Sequence, residues 1–351
     1  MSKLTLGIVG AGNIAAPYLE DLQNDPNITV KGITDLSKER AQALANEHDI
    51  RLYEDLDTML VDDAIDLVVN LTIHHAHFDI NKACLEAGKH VFSEKPLALE
   101  YEQAKTLVEL ADAKELRLGV APFTLLYETH QSAWRVVRSG ELGRVRLVYA
   151  ELNWGRMETW HPHPQPYYGV GPLRDVGVYP LTFLTAMFGP VREVTAHAAT
   201  LKEDRVTMEG EAFTLEQPDF LVCLYRHTSG VLTRLTANFY VTHSSKQQGI
   251  EIHGDEKSLF LSSWLWPTGE VEVAEFNEPY ETRTEVDKEV RWGTGVREMV
   301  SSILADVPHR TTGAHAAHIV EVLEATYRSI STNDTVAVQS DFEPPEPLQN
   351  E

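Results

Sequence analysis

A chain of 351 residues, 43% hydrophobic and 24% charged, has an ordinary globular composition and length enough for two domains, and no apolar run reaches membrane-spanning length. Its formal charge of −23 argues against nucleic acid or an anionic membrane surface as partner. Its two cysteines, Cys84 and Cys223, lie far apart in apolar segments, where buried free thiols are expected rather than a disulfide or a metal site.

The chain opens on an apolar strand, residues 4–9, with no charged-then-apolar leader, so a cytoplasmic location is expected. Gly10-Ala11-Gly12-Asn13-Ile14-Ala15 follows at once and has the G-x-G-x-x-G/A form of a dinucleotide-binding turn. Gly10 would permit the tight turn, Gly12 the approach of a pyrophosphate, and Ala15 close helix–strand packing. The next helix would offer its free N–H groups, around Asn13 and Ile14, to the phosphates. A second strand, 28–34, ends at Asp35, 20 residues after Ala15, where a carboxylate would bind the ribose hydroxyls. Asp35 could equally cap the helix that starts near Ser37. Asp35 followed by Leu36 favours NAD, while Lys38 and Arg40 leave NADP open.

Up to residue 121 the pattern alternates. Strands are expected at 50–53, 65–71, 89–93 and 116–121, and helices near 13–23, 37–48, 55–61, 77–87 and 99–114. This implies a parallel, doubly wound sheet. In such a sheet ligands bind beyond the carboxyl ends of the strands, which delivers two segments to the cofactor crevice. One is Thr72-Ile73-His74-His75-Ala76-His77 after the fourth strand, with Thr72 and His77 as candidate cofactor contacts. With no cysteine or carboxylate at ligand spacing, no metal is expected there. The other is Glu94-Lys95-Pro96 after the fifth strand. Lys95 could polarise a hydroxyl or donate to a carbonyl, whereas a surface ion pair with Glu94 is the plainer reading.

Beyond 121 the pattern changes to a helix at 128–139 and long alternating runs at 145–154, 191–201, 220–227, 231–241, 249–253, 258–262 and 269–276. These read as a mostly antiparallel sheet. A helix at about 176–188 interrupts it, helices at 295–306 and 314–332 close it, and the acidic, proline-rich tail 341–351 is expected to be disordered. Were the interrupting helix to begin near Asp175, Asp175 and Tyr179 would share one face at i and i+4, an acid–phenol pair suited to proton transfer. Trp160-His161-Pro162-His163 belongs to a stiff, aromatic loop in which Trp160, His161 and His163 could contact a polyhydroxylated ligand.

Taken in order, Gly10–Ala15, Thr72 to His77, Ala87-Gly88-Lys89-His90-Val91 leading into Glu94-Lys95-Pro96, and Gly171–Tyr179 resemble the glucose–fructose oxidoreductase/inositol dehydrogenase (Gfo/Idh/MocA) family over nearly the whole chain. The resemblance implies an α/β protein: an N-terminal Rossmann domain (1–121) and a C-terminal α/β domain (122–340) on a large open, mostly antiparallel sheet. That sheet would form a homodimer or homotetramer interface. It also implies NAD(P)-dependent oxidoreduction of a sugar, inositol or related polyol. Lys95 would be the catalytic lysine, Asp175 the substrate-positioning acid and Tyr179 the proton donor. Ile73 replaces the family's usual proline, Thr182 a frequent second histidine or acid, and Ala121-Pro122-Phe123-Thr124 lacks the frequent Asn-Arg pair. These departures bear on the substrate. Two other functions stay open: a redox-neutral NAD-dependent glycosidase and a non-catalytic dinucleotide-binding regulator.

Overall fold

The computed structural model describes residues 3–242 and 244–348. Those residues fall into two compact units. The first runs to Phe123 and also takes Val290–Val320; the second comprises Thr124–Glu289 and the chain from Glu321 onward.

The first unit carries six parallel strands, β1 (Leu4–Val9), β2 (Ile28–Thr34), β3 (Arg51–Leu52), β4 (Leu67–Asn70), β5 (His90–Ser93) and β6 (Leu118–Val120), in the order β3-β2-β1-β4-β5-β6. This order reverses between β1 and β4, as in a dinucleotide-binding doubly wound sheet. The crossovers are α1 (Ala15–Gln23), α2 (Lys38–Glu47), α3 (Leu56–Leu60), α4 (His77–Glu86) and α5 (Tyr101–Ala113). Strands buried on both faces need continuous apolar runs, and Leu67, Val68 and Val69 are indeed wholly buried. Gly88, at φ +78, ends α4 as a left-handed glycine.

The sequence reading places 290–320 with the second domain, but packing puts it here. The helix α9 (Thr294–Ala305) brings Gly295 so close to Phe92 that an added Cβ would stand 2.6 Å from its ring. Val120 donates its N–H to the Thr311 carbonyl, and Ala317 and Val320 from the start of α10 (Gly313–Thr332) join the core around Leu118.

The second unit is built on a nine-stranded sheet. Its strands are β7 (Val145–Asn153), β8 (Val191–Ala199), β11 (Phe220–His227), β12 (Leu232–Asn238), β13 (Gly249–Gly254), β14 (Lys257–Leu261), β15 (Gly269–Glu275), β16 (Glu281–Val286) and β17 (Val336–Ala337). The order is β16-β15-β14-β13-β7-β12-β11-β8-β17, antiparallel throughout except for the β7–β12 pair. Between β8 and β11 a small hairpin forms from β9 (Asp204–Val206) and β10 (Ala212–Thr214). Alternation along β11 buries Leu221, Cys223 and Tyr225 and turns Leu224 outward. Helix α6 (Glu128–Arg138) packs on β14, β15 and β16, and its Trp134 and His130 set their rings edge-on to Phe183 of α8 (Val178–Phe188). Both cysteines are buried free thiols.

Three expectations need correction. A short helix, α7 (Gln165–Val170), stands in the segment read as loop. β9, β10, β16 and β17 lie outside the expected strands because each is short or rich in charge, so no apolar alternation marks it. The tail is ordered over 341–348. Phe342 is buried, Asp341 and Glu346 pair with Arg192 and Arg138, and the Leu348 N–H donates to Gln131. One apolar anchor and two basic partners outweigh the tail's composition; residues 349–351 lie outside the described residues.

Candidate functional site

In the first unit the glycine turn joins β1 to α1. Gly10 has φ +106, and a Cβ there would stand 2.7 Å from the Leu71 carbonyl carbon and oxygen. Conformation and space therefore both demand glycine. Gly12 differs, because a Cβ there would meet nothing within 4 Å. Gly12 and Asn13 are exposed, and Ile14 supplies no side-chain cap to α1. The turn thus presents bare backbone and the positive end of a helix to open space, a cradle fitted to a pyrophosphate.

Asp35 closes the turn from the end of β2. Its carboxylate accepts the N–H of Ala11 at 2.7 Å and of Ser37 at 2.6 Å, and Arg40 reaches it at 3.4 Å. The cap of α2 is Ser37 rather than Asp35. A carboxylate has about four acceptor sites, so these bonds leave capacity for ribose hydroxyls.

The segments after β4 and β5 meet through a buried polar network. Asn70 donates to Asn81 (2.8 Å), Asn81 to Ser93 (3.0 Å) and Ser93 to the Glu94 carbonyl (3.1 Å). The Asn70 side-chain oxygen accepts from the Thr72 hydroxyl at 2.7 Å. His77, read from the sequence as a cofactor contact, is 1% exposed, and its ring nitrogens lie 2.6 Å from the Pro96 carbonyl oxygen and 3.0 Å from that of Thr72. That ring serves the two loops rather than a ligand. Glu94 is likewise engaged internally, accepting the Tyr18 hydroxyl at 2.8 Å and the Lys95 N–H at 3.1 Å. Lys95 is half-buried, and the Lys95–Pro96 bond is cis. Burial first, and then the neighbouring His75, His77 and Lys95, hold the His74 imidazole below its usual pKa. Among the described residues no group of three His, Cys, Asp or Glu has metal-binding geometry.

In the second unit the expected helix start is different. A π-helical turn, Leu173–Gly177, carries Asp175, and α8 begins at Val178. Such turns recur at functional sites because they re-aim side chains out of helical register. The whole stretch 171–190 is buried except Arg174, Asp175 and Tyr179. An otherwise enclosed segment therefore opens at Arg174 and at the acid–phenol pair. Arg174 stacks on the Tyr327 ring at 3.9 Å.

The aromatic loop is anchored from below. Trp160 is 43% exposed and stands edge-on to Trp154, while His161 lies beside Tyr167 and accepts the His163 N–H. Beneath them Arg205 is buried between Glu158 (2.7 Å), Asp219 and the Tyr168 hydroxyl (3.2 Å). Burial works to raise the Glu158 pKa, but bonds from Tyr168 and Arg205 outweigh it and keep the carboxyl ionised to lower pH. Nothing in the sequence flags this cluster, since its members are 10 to 61 residues apart and follow no motif.

Comparison with known proteins agrees with this architecture. A model of an oxidoreductase family with an NAD-binding Rossmann fold matches residues 4–121, and one of the GFO/IDH/MocA C-terminal domain matches residues 130–260. An uncharacterized oxidoreductase of Rhizobium meliloti is 28% identical over 76% of this chain and 77% of its own. A scyllo-inositol 2-dehydrogenase (NADP(+)) of Bacillus subtilis is 23% identical over 83% and 84%. Levoglucosan dehydrogenase, solved with NADH and L-sorbose, superposes with a TM-score of 0.82 at 18% identity, over 96% of this chain and 99% of that one. With its strand order, glycine cradle and large mixed sheet, the chain belongs to the Gfo/Idh/MocA family of oxidoreductases and carries that family's NAD(P)-binding Rossmann domain.

Proposed function

We propose that this oxidoreductase is a dehydrogenase for a secondary hydroxyl of a sugar, inositol or related polyol. The observation that carries the reading is the burial pattern of 171–190, which leaves Arg174, Asp175 and Tyr179 as the residues open to a ligand. The dinucleotide, when bound on the Gly10–Ala15 turn, supplies the hydride acceptor. Tyr179 and Lys95 handle the hydroxyl proton: the phenol oxygen accepts it while passing its own proton on, and Lys95 accepts it as the neutral amine. Asp175 orients the substrate by accepting hydroxyl hydrogens. Trp160, His161 and His163 offer an aromatic face and imidazole donors suited to a ring bearing several hydroxyls.

NAD is the preferred dinucleotide. The Asp35 carboxylate repels a 2′-phosphate, although Arg40, 3.4 Å from it, leaves NADP a weaker substrate. The cofactor's own binding set includes Gly10, Gly12, Asn13, Ile14, Asp35 and Thr72. The working form is a homo-oligomer built through the sheet of the second unit. Its outward face mixes apolar Val222, Leu224, Leu147 and Tyr149 with the ion pairs Arg226–Glu193 and Arg234–Glu151.

The test is a panel of sugars, inositols and sugar acids with NAD and NADP, followed by absorbance of the reduced cofactor. Turnover of at least one polyol, faster with NAD, is expected. Binding of NAD with no reduction across the panel would refute the dehydrogenase reading, and tighter binding of NADP would refute the preference.

A further inference from the structure

The two loops that end β4 and β5 bear the chemistry of the first unit, and one buried side chain spans them. His77 is the first residue of α4. Its Nδ1 lies 2.6 Å from the carbonyl oxygen of Pro96, the residue joined to Lys95, and its Nε2 lies 3.0 Å from the carbonyl oxygen of Thr72. Both partners are acceptors, so the ring donates to both carbonyls only as the imidazolium, and the neutral ring donates through one nitrogen. At 1% exposure no solvent competes for either bond.

The backbone beside Lys95 is fixed on its other sides as well. Glu94 donates its N–H to the Asn70 carbonyl at 2.9 Å, and its own carbonyl accepts the Ser93 hydroxyl. Its carboxylate, tied to Tyr18, accepts the Lys95 N–H. Everything before Lys95 is thus held by strand β5 and its network. On the side after it, the Pro96 carbonyl is bonded to His77, and Leu97 and Ala98 are buried in the core.

We propose that His77 is a positioning residue for Lys95, acting through Nδ1 and the Pro96 carbonyl, while Nε2 fixes the Thr72 loop. The proposal rests on the reading of Lys95 as a proton-relaying group. The two nitrogens can be separated experimentally because two amide side chains reproduce one each. An asparagine amide reaches about as far as Nδ1 and a glutamine amide about as far as Nε2. His77→Asn therefore keeps the Pro96 bond and loses the Thr72 bond; His77→Gln does the reverse.

Two readouts are taken on the full-length protein: kcat with saturating NAD and the best polyol of the panel, and labelling of Lys95 in the cofactor-free protein. Labelling uses an amine-reactive anhydride and is read by peptide mass spectrometry. Expected are a kcat reduced roughly tenfold or more in His77→Gln but within about threefold of the parent in His77→Asn, since a displacement near 1 Å can cost two orders of magnitude. NAD affinity should change less than about twofold in His77→Gln, which keeps the Thr72 bond. Lys95 labelling should rise several-fold in His77→Gln and stay near the parent rate in His77→Asn. Equal effects of the two variants, or the opposite order in labelling, overturn the proposal, because a general loss of structure would not distinguish the nitrogens. The labelling order stands apart from turnover. Should Lys95→Ala retain full activity, the catalytic reading of Lys95 falls while the labelling still decides whether His77 holds it.

Discussion

Gly10 and Gly12 are glycines for opposite reasons. Gly10 is required by the fold: a Cβ there would press on the Leu71 backbone at a φ of +106. Gly10→Ala should cost at least about 1–2 kcal/mol from the left-handed conformation alone and lower the thermal midpoint clearly. Gly12 has open space where a Cβ would go. Gly12→Ala should leave the melting temperature nearly unchanged while weakening NAD binding, as measured by calorimetric titration. A parallel loss of stability in both variants would remove the ligand as the reason for Gly12. Lys95 belongs to the same scale. Lys95→Ala should bind NAD normally and lose roughly a hundredfold or more in kcat, the usual contribution of a positioned acid or base. The glycines, Asp35 and Lys95 were legible because motif and strand order together fix where such residues stand. His77 and Glu94 were legible as positions but not as roles. Their partners, the Pro96 carbonyl and the Tyr18 hydroxyl, are 19 and 76 residues away and follow no local pattern.

Among the elements, the segment 171–188 departs most from its sequence reading. Propensity and spacing predict one helix from about 176; the chain forms a π turn and then α8. Gly177 leaves room for the Leu173 side chain, whose nearest atom would stand 2.6 Å from a Cβ at that position. No periodicity reports such a contact. The loop of Trp160 rests on a second hidden element, the ion cluster of Arg205, Glu158 and Asp219, which pins the turn before α7 to the start of β11. All three side chains are buried. Removing the guanidinium in Arg205→Met leaves two buried carboxylates without their shared cation, held only by the Tyr168 hydroxyl and the Leu201 N–H, a loss of about 3–5 kcal/mol. Chemical denaturation should register that loss together with greater protease sensitivity near residue 160. A loss under about 1 kcal/mol would mean that the cluster is not what holds the loop.

For the whole molecule, buried histidines set the acid limit of stability. Burial lowers His130, His227 and His309 from the usual 6.5 to about 4, and His315 to about 3. These rings stay neutral in the fold while the unfolded chain takes up protons from about pH 6.5 downward. The unfolded state then binds more protons, so stability falls as pH drops from about 6.5 toward 4. Thermal midpoints measured across that window should decline steadily, and a flat profile would contradict the assignment. Assembly is tested at the outward sheet face, where Leu224 is 43% exposed. Leu224→Lys should shift the mass seen by light scattering toward the single chain without altering NAD binding. The sequence by itself determined the Rossmann order, the antiparallel character of the second sheet and the glycine turn, because each is written in short-range periodicity and spacing. Tertiary structure alone decided which residues surround those features. It took Val290–Val320 into the first unit, ordered the acidic tail through Phe342, and turned His77 and Glu94 inward. Each of those outcomes depends on packing and hydrogen bonds between residues far apart in the chain, and local pattern carries no record of them.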